Sequence, residues 1–421
     1  MGRKVKRLPM RTALRRVYLV IFLLPLSLIL GIINFRLYYS EYNPQHSDVL
    51  AQLAFIKNAL QNGAGEEMQQ FFPEGYFFTY VLYGLTWVDV GLNAANQVDQ
   101  ALTESRWALN KLESAQGKAV FSAELTPAYG VFYVGWSNWL RGGILKLQEP
   151  SQRNADEAKR FSSDMMALAG AFDTSETPFL QAYPGQAWPV DSTVAVATLN
   201  LYDTLFPPQF EETIQRWVQL AKTKLDPATG LLPHRVDYRT GDLLQGTRGS
   251  SQSVIQRFLP EIDPAWARES YPVFQEKFVA TVLGVPGVRE YPMGNDGVGD
   301  VDSGPLFAEM SLSSSVVTVA AAQVEGDKAL ADAMLNVGEA LGMPIEIGGS
   351  KRYALGVLPT GDAFLAWAKS ATPLTYTPSS TTFPEVVSWR WRLPIHGVTG
   401  VVLLILWRLF TRRKGKFTSS L

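Results

Sequence analysis

Cysteine is absent from the 421-residue chain, and histidine occurs only three times. The first absence excludes disulfides, cysteine nucleophiles and thiolate metal sites, and is compatible with an oxidising compartment. The second excludes zinc sites built on histidine clusters, because one of the three, His396, lies in an apolar C-terminal segment. The chain also contains no Gly-x-Ser-x-Gly elbow, no phosphate-binding Gly-Lys-Ser/Thr loop and no His-Glu-x-x-His helix. The residues therefore call for no metal and no cofactor. A surplus of either charge is missing overall, with 38 Lys and Arg against 39 Asp and Glu, but the charges are unevenly placed. Fifteen of the basic residues lie in the flanks, so positions 37–388 hold 23 against all 39 acids. A core about 16 units negative disfavours nucleic acid as a partner. With 47% hydrophobic residues the chain is neither disordered nor collagen-like.

The two basic flanks adjoin apolar runs. Val17 to Phe35 is interrupted only by Pro25, Ser27 and Asn34, and seven basic residues precede it without an acid. Its length is just enough for a membrane-spanning helix, and the charge asymmetry predicts a cytoplasmic N-terminus. A cleaved signal peptide is the alternative, but no small-x-small site follows the run at Phe35-Arg36-Leu37. A second, shorter run from Leu393 to Trp407 is followed by Arg408, Arg412, Arg413, Lys414 and Lys416. It reads as a second span, a buried core helix or an interfacial helix. The expected organisation is a cytoplasmic basic tail at 1–16, a transmembrane helix at 17–35, an extracytoplasmic domain at 37–388, a transmembrane helix at 393–410 and a basic tail at 411–421. That places the protein in a bacterial-type cytoplasmic (inner) membrane with both termini inside, near envelope-complex proteins as possible partners.

Between the flanks, charged amphipathic segments begin near His46, Ala95, Ser151, Pro208, Asp263 and Glu325. Each is followed by a nearly uncharged helical segment, starting near Phe77, Pro127, Pro189, Gly249, Ser303 and Pro359. A helix apolar all round is surrounded by protein, whereas a charged stripe marks a face turned to water. The alternation predicts an all-α fold, an (α/α)6 toroid of six helical hairpins with an inner and an outer ring. An open helical solenoid is the alternative. Two small β-hairpins decorate the pattern at Leu231–Gln245 and Ile345–Val357.

In such a ring the loops entering the inner helices open on one face, where helix N-termini converge. Those loops are unusually rich here, with Phe71-Phe72-Pro73-Glu74-Gly75-Tyr76, Trp188-Pro189-Val190-Asp191 and Gly299-Asp300-Val301-Asp302-Ser303-Gly304-Pro305. By helix count and by these aromatic-Pro-acid loops the chain resembles the six-hairpin toroids over roughly residues 46–370. That superfamily contains glycoside hydrolases, polysaccharide lyases and the linalool dehydratase/isomerase group. The resemblance implies a cleft active on a carbohydrate or a small molecule.

Asp300 and Asp302 are the strongest candidates for a general base or acid; Asp302 is equally placed to cap a helix before Pro305. Together with Asp296 they could form a calcium loop, though without the EF-hand order. Asp191 is the second candidate, behind the stacking surface of Trp188, with helix capping as its structural alternative. Glu74 and Glu290 occupy comparable loops. His234 is a candidate proton shuttle, Arg248 could grip an anionic group, and Tyr129 and Tyr291 are candidate ligand contacts or ring packing. The expected function is a membrane-tethered carbohydrate-active enzyme, glycoside hydrolase-like, with Asp302 or Asp300 as base and Asp191 or Glu74 as acid. The rivals are a non-catalytic binding or assembly module for envelope polysaccharide or lipid-linked export, and a lyase or dehydratase-isomerase acting on a small hydrophobic substrate.

Overall fold

The computed structural model describes residue 17 and residues 19–43, 45–378, 383 and 386–411. The tail at 1–16 and residues 412–421 of the C-terminal tail lie outside these. The described chain is mostly helical. Helix α1 spans Leu24–Arg36, followed by α2 (Val49–Gln61), α3 (Ala64–Phe71), α4 (Gly75–Asn93), α5 (Val98–Leu112) and α6 (Gly130–Lys146). Next come α7 (Ala155–Thr174), α8 (Pro189–Leu205), α9 (Glu211–Lys222), α10 (Gly249–Phe258) and α11 (Pro264–Phe278). The last four are α12 (Leu312–Glu325), α13 (Lys328–Leu341), α14 (Pro359–Ser370) and α15 (Leu393–Thr411).

Sequence polarity decides which helices sit inside. In α4, Phe77, Tyr80, Val81, Leu82 and Leu85 are buried on every side of the helix. In α7 only a stripe is buried, at Phe161, Met165, Leu168, Ala169 and Phe172, and the N-terminus is capped by Asn154 accepting from the amides of Asp156 and Glu157 at 3.1 and 3.0 Å. The contacts among the buried helices form a cycle. Helix α4 packs on α6, α6 on α8, α8 on α10, α10 on α12, α12 on α14, and α14 returns to α4. The amphipathic helices α3, α5, α7, α11 and α13 lie against this cycle from outside.

The interior of the cycle is filled. Trp136 of α6 meets Phe258 of α10 at 5.2 Å and Trp367 of α14 at 5.9 Å between ring centroids, and Phe78 of α4 joins them at 5.8 Å from Trp136. These edge-on contacts reach across the ring between its two ends. At the end where the inner helices finish, Arg257 bonds Glu261 at 2.7 Å, and Glu261 also accepts from the amides of Leu374 and Thr375. At that end Arg257 also donates to the Thr372 carbonyl at 3.1 Å, while its Nε is buried without a partner.

Three small sheets are present among the described residues. Strands β1 (Arg235–Val236) and β2 (Leu243–Gln245) form one hairpin, and β6 (Ile345–Ile347) with β7 (Ser350–Arg352) another, turning at Gly348-Gly349 with positive φ at both. The third, β3 (Val279–Val282) with β4 (Val285–Arg289) and β5 (Met310–Ser311), is additional to the two hairpins expected from sequence.

Two expectations are overturned. Among the described residues no helix is long and apolar enough to cross a membrane. The run from Val17 breaks into a π-helical turn at Leu19–Leu23 and α1, which begins at Leu24 just before Pro25 and has 13 residues. At 1.5 Å per residue α1 rises about 20 Å, well short of a hydrocarbon core of about 30 Å. The apolar part of α15, Leu393 to Trp407, gives about 22 Å. The flanking transmembrane helices are therefore not supported, and neither is the inner-membrane placement with both termini cytoplasmic. Instead α1 and α15 pack on each other through a polar chain. Asn34 donates to Thr399 at 2.8 Å, His396 meets Asn34 at 2.6 Å, and Tyr38 meets His396 at 2.9 Å. The second correction concerns the fifth inner helix, which starts at Leu312 rather than near Ser303. Its N-cap is Ser311, whose hydroxyl accepts from the Ser314 amide at 3.1 Å, so neither Asp302 nor Ser303 caps it.

Candidate functional site

The inner helices start on one face, and three carboxylates from distant parts of the chain meet there. Glu74 directly precedes α4 and Asp191 lies in the first turn of α8 behind Pro189. Asp302 lies in the irregular loop that enters β5 and α12. Asp191 is buried, and among the described residues no hydrogen bond reaches its carboxyl group. Burial first, and then the charges of Asp302 and Glu74, raise it well above the ordinary carboxylate range. Its position in the third residue of α8 would suit a capping carboxylate, yet the cap position belongs to Trp188 and has no side-chain bond.

Asp302 keeps an exposed surface as a residue, while its carboxyl is crowded by the surrounding protein. Burial and the repulsion of Asp300 push it up to about 6, with Arg248 opposing. The two carboxyls, with Glu74, make one electrostatically coupled group, the cup. Tyr183 completes the group. Its hydroxyl donates to Glu74, and burial together with Glu74, Asp191 and Asp302 raises the phenol, which keeps its proton. Its ring packs on Phe121 at 5.9 Å and edge-on to Trp188 at 5.9 Å. Trp188 is half-buried, with the Arg235 guanidinium 5.5 Å from its ring.

A second layer orients Asp302. Gly249 opens α10, and a Cβ there would lie 2.1 Å from the Arg289 carbonyl, so only glycine lets the end of β4 pass this close. That approach brings Glu290, fully buried, onto Arg248 Nε at 2.7 Å, the Ser250 amide at 3.0 Å and the Ser314 hydroxyl at 3.0 Å. Arg248, so fixed, pairs with Asp300 through Nη1, while its Nη2 is buried without a partner. Burial alone would raise Asp300, but the Arg248 guanidinium holds it below the usual range. Asp300 in turn accepts from the amides of Asp302 and Ser303 at 3.0 and 3.2 Å, setting the loop that presents Asp302.

The remaining candidates separate cleanly. His234 bonds Ser251 at 2.6 Å, and burial and Arg248 push it down to about 4, so it is neutral beside the Arg248 layer. Tyr291 lies under Arg248 and donates to the Val298 carbonyl at 2.9 Å, which ties the loop down. Glu290 lies beneath the cup with all its bonds made inside the protein, so it positions Arg248 and has no free oxygen for a ligand. Tyr129 stands at the N-cap of α6, packed 5.4 Å from the Tyr133 ring with Lys118 at 5.1 Å. The calcium-loop alternative fails on geometry, because Asp296 is paired with Arg289 at 2.7 Å and Asp300 with Arg248. Sequence reasoning missed Tyr183. The signal available was an aromatic in the Tyr183-Pro184-Gly185 turn that leads to Trp188. The chain matches no protein-family model and no curated protein.

Proposed function

We propose that the cup is the active centre of a carbohydrate-active enzyme, glycoside hydrolase-like, in which Asp191 is the general acid and Asp302 the general base. The observation that carries this reading is the pair itself: two electrostatically coupled carboxyls where the inner helices start, Asp191 raised well above the ordinary carboxylate range by burial and Asp302 pushed up to about 6. Environments that drive two titratable groups apart are how acid and base roles are divided. In the reaction, Asp191 gives its proton to the glycosidic oxygen as the bond from that oxygen to the anomeric carbon breaks. A water attacks the anomeric carbon and loses its proton to Asp302, and the two carboxyls exchange the proton through solvent before the next turnover. Trp188 offers a flat surface for a sugar ring, and the Tyr183 hydroxyl holds Glu74.

The pH dependence tests the assignment. The base must be ionised, so kcat/KM falls as pH drops below about 6, and the alkaline limb belongs to Asp191, which is raised well above the ordinary carboxylate range. Asp300 repels charge on Asp302 and occupies Arg248. In the Asp300→Asn variant both influences favour ionised Asp302, and the acid limb moves to lower pH. A profile whose acid limb stays in place in that variant assigns it to another group and removes Asp302 from the mechanism.

The lyase reading has one observation in its favour, the protonated Tyr183 beside Glu74. Product analysis separates the two. Hydrolysis adds water and yields a reducing sugar, whereas elimination yields an unsaturated, ultraviolet-absorbing product.

A further inference from the structure

A cavity of about 100 Å³ opens at the end of the ring where the inner helices finish, away from the carboxylate cup. Its walls come from the last residues of α12, from Pro260 and the start of α11, and from the segment after α14, which brings Tyr376. That segment is fixed, because the amides of Leu374 and Thr375 donate to Glu261. By the measure in which a cavity of about 150 Å³ takes up benzene, this one holds roughly four to six non-hydrogen atoms.

Glu325, the last residue of α12, lines the cavity and is only 7% exposed. Its Oε1 is buried without a partner, and among the described residues no hydrogen bond reaches its carboxyl group. The groups around it are already engaged. The Gly326 amide closes α12 on the Ala322 and Gln323 carbonyls, and the Tyr376 hydroxyl donates to the Val324 carbonyl at 2.7 Å. Asp327 accepts from Gln275 at 2.6 Å and Tyr271 at 3.2 Å. A carboxylate here also sits at the negative end of the α12 dipole, so its charge and its place both favour a cationic donor. Arg268 of α11 lines the same cavity from its exposed side, and among the described residues it forms no ion pair. A lone ammonium would satisfy Glu325 but face Arg268, and a lone carboxylate would meet the reverse. A molecule bearing both charges complements both side chains.

We propose that this cavity binds a small zwitterion of the amino-acid class, its ammonium donating to Glu325 and its carboxylate facing the Arg268 guanidinium. The volume limits the occupant to the smallest members, such as glycine and alanine. No residue of the cup takes part, so the site stands or falls independently of the carbohydrate reading.

The site has a pH signature. Burial pushes Glu325 up to about 8, with Arg268 opposing and Asp327 adding. The Tyr271 and Tyr376 phenols, which also feel Glu325, are raised by burial and keep their protons. An ammonium needs the ionised carboxylate, so binding expels the Glu325 proton, and Kd at pH 6 is expected to be about tenfold above Kd at pH 7.

The test is calorimetric titration of the full chain with glycine and L-alanine, with methylamine and acetate as carriers of one charge each. At pH 8 one of the amino acids is expected to bind roughly tenfold or more tightly than either control, the worth of one charge-assisted hydrogen bond. Glu325→Gln keeps the shape and an acceptor but not the charge. It raises Kd by about the same factor and removes the pH dependence. Because the raised carboxyl costs stability at neutral pH, this variant folds at least as well as the parent. Arg268→Gln, at an exposed position, abolishes the preference over methylamine. No saturable binding of either amino acid at millimolar concentration, methylamine binding as tightly as glycine, or an unchanged Kd in Glu325→Gln overturns the inference.

Discussion

The Asp191→Asn variant is expected to lose about 10²- to 10⁴-fold in kcat while folding at least as well as the parent. The loss follows from the role. An amide has the same shape but no proton to give to the leaving oxygen. The stability half follows from the sign of the shift. The folded-state carboxyl is raised above its unfolded value, so above the unfolded value folding must take up a proton there, at a cost to stability. That cost is present at neutral pH and vanishes as pH falls below the ordinary carboxylate range. Asn removes it, so the variant's unfolding midpoint should equal or exceed the parent's at pH 7, with the difference shrinking toward pH 4. Thermal unfolding at the two pH values checks this without a substrate. A variant less stable at pH 7 would mean that Asp191 is a structural carboxylate.

Lys369→Met is expected to cost about 3–5 kcal/mol, the largest stability effect of any single side chain considered. Lys369 is fully buried in α14, where its ammonium bonds Asp48 at 2.8 Å, Glu339 at 2.8 Å and the Tyr353 hydroxyl. Lys351 makes the same two ion pairs at 2.8 and 2.9 Å. Two cations and two anions balance in this cluster, which ties the segment before α2 to α13, β7 and α14. Losing Lys369 leaves one buried negative charge uncompensated. Burial alone would raise Asp48 and Glu339, but the two lysines hold both below the usual carboxylate range. Their contribution is therefore present above about pH 4 and is lost as pH falls through the depressed folded-state values. Urea unfolding at pH 7 measures the first effect. A midpoint within about 1 kcal/mol of the parent would show that the cluster is not buried in solution.

Much of the helical framework was legible because polarity and punctuation agreed. Pro189, Gly249 and Pro359 open α8, α10 and α14 where the sequence places them, since proline at the first helical position and glycine at a close approach are local signals. The fifth inner helix was misplaced for the same reason. Asp302, Ser303 and Pro305 imitate a start, while the working cap, Ser311, sits in a run of serines with no distinguishing pattern. The apolar flanks were misread because hydropathy alone does not register where Pro25 and the π-helical turn divide a run. At the site, residue type was readable but direction was not. A carboxylate two residues past a proline can cap a helix or face a cup, and only the closure of the ring brings Glu74, Asp191 and Asp302 together. Nothing local reveals that Lys369 pairs with Asp48, 321 residues away.

Sugar release from a panel of glycans and alkyl glycosides, by the parent and by Asp191→Asn and Asp302→Asn, tests the central claim most directly. The account requires that the parent release reducing sugar from at least one member and that both variants lose that release with their folds intact. Release by the parent that survives in either variant, or no release from any member, would contradict it.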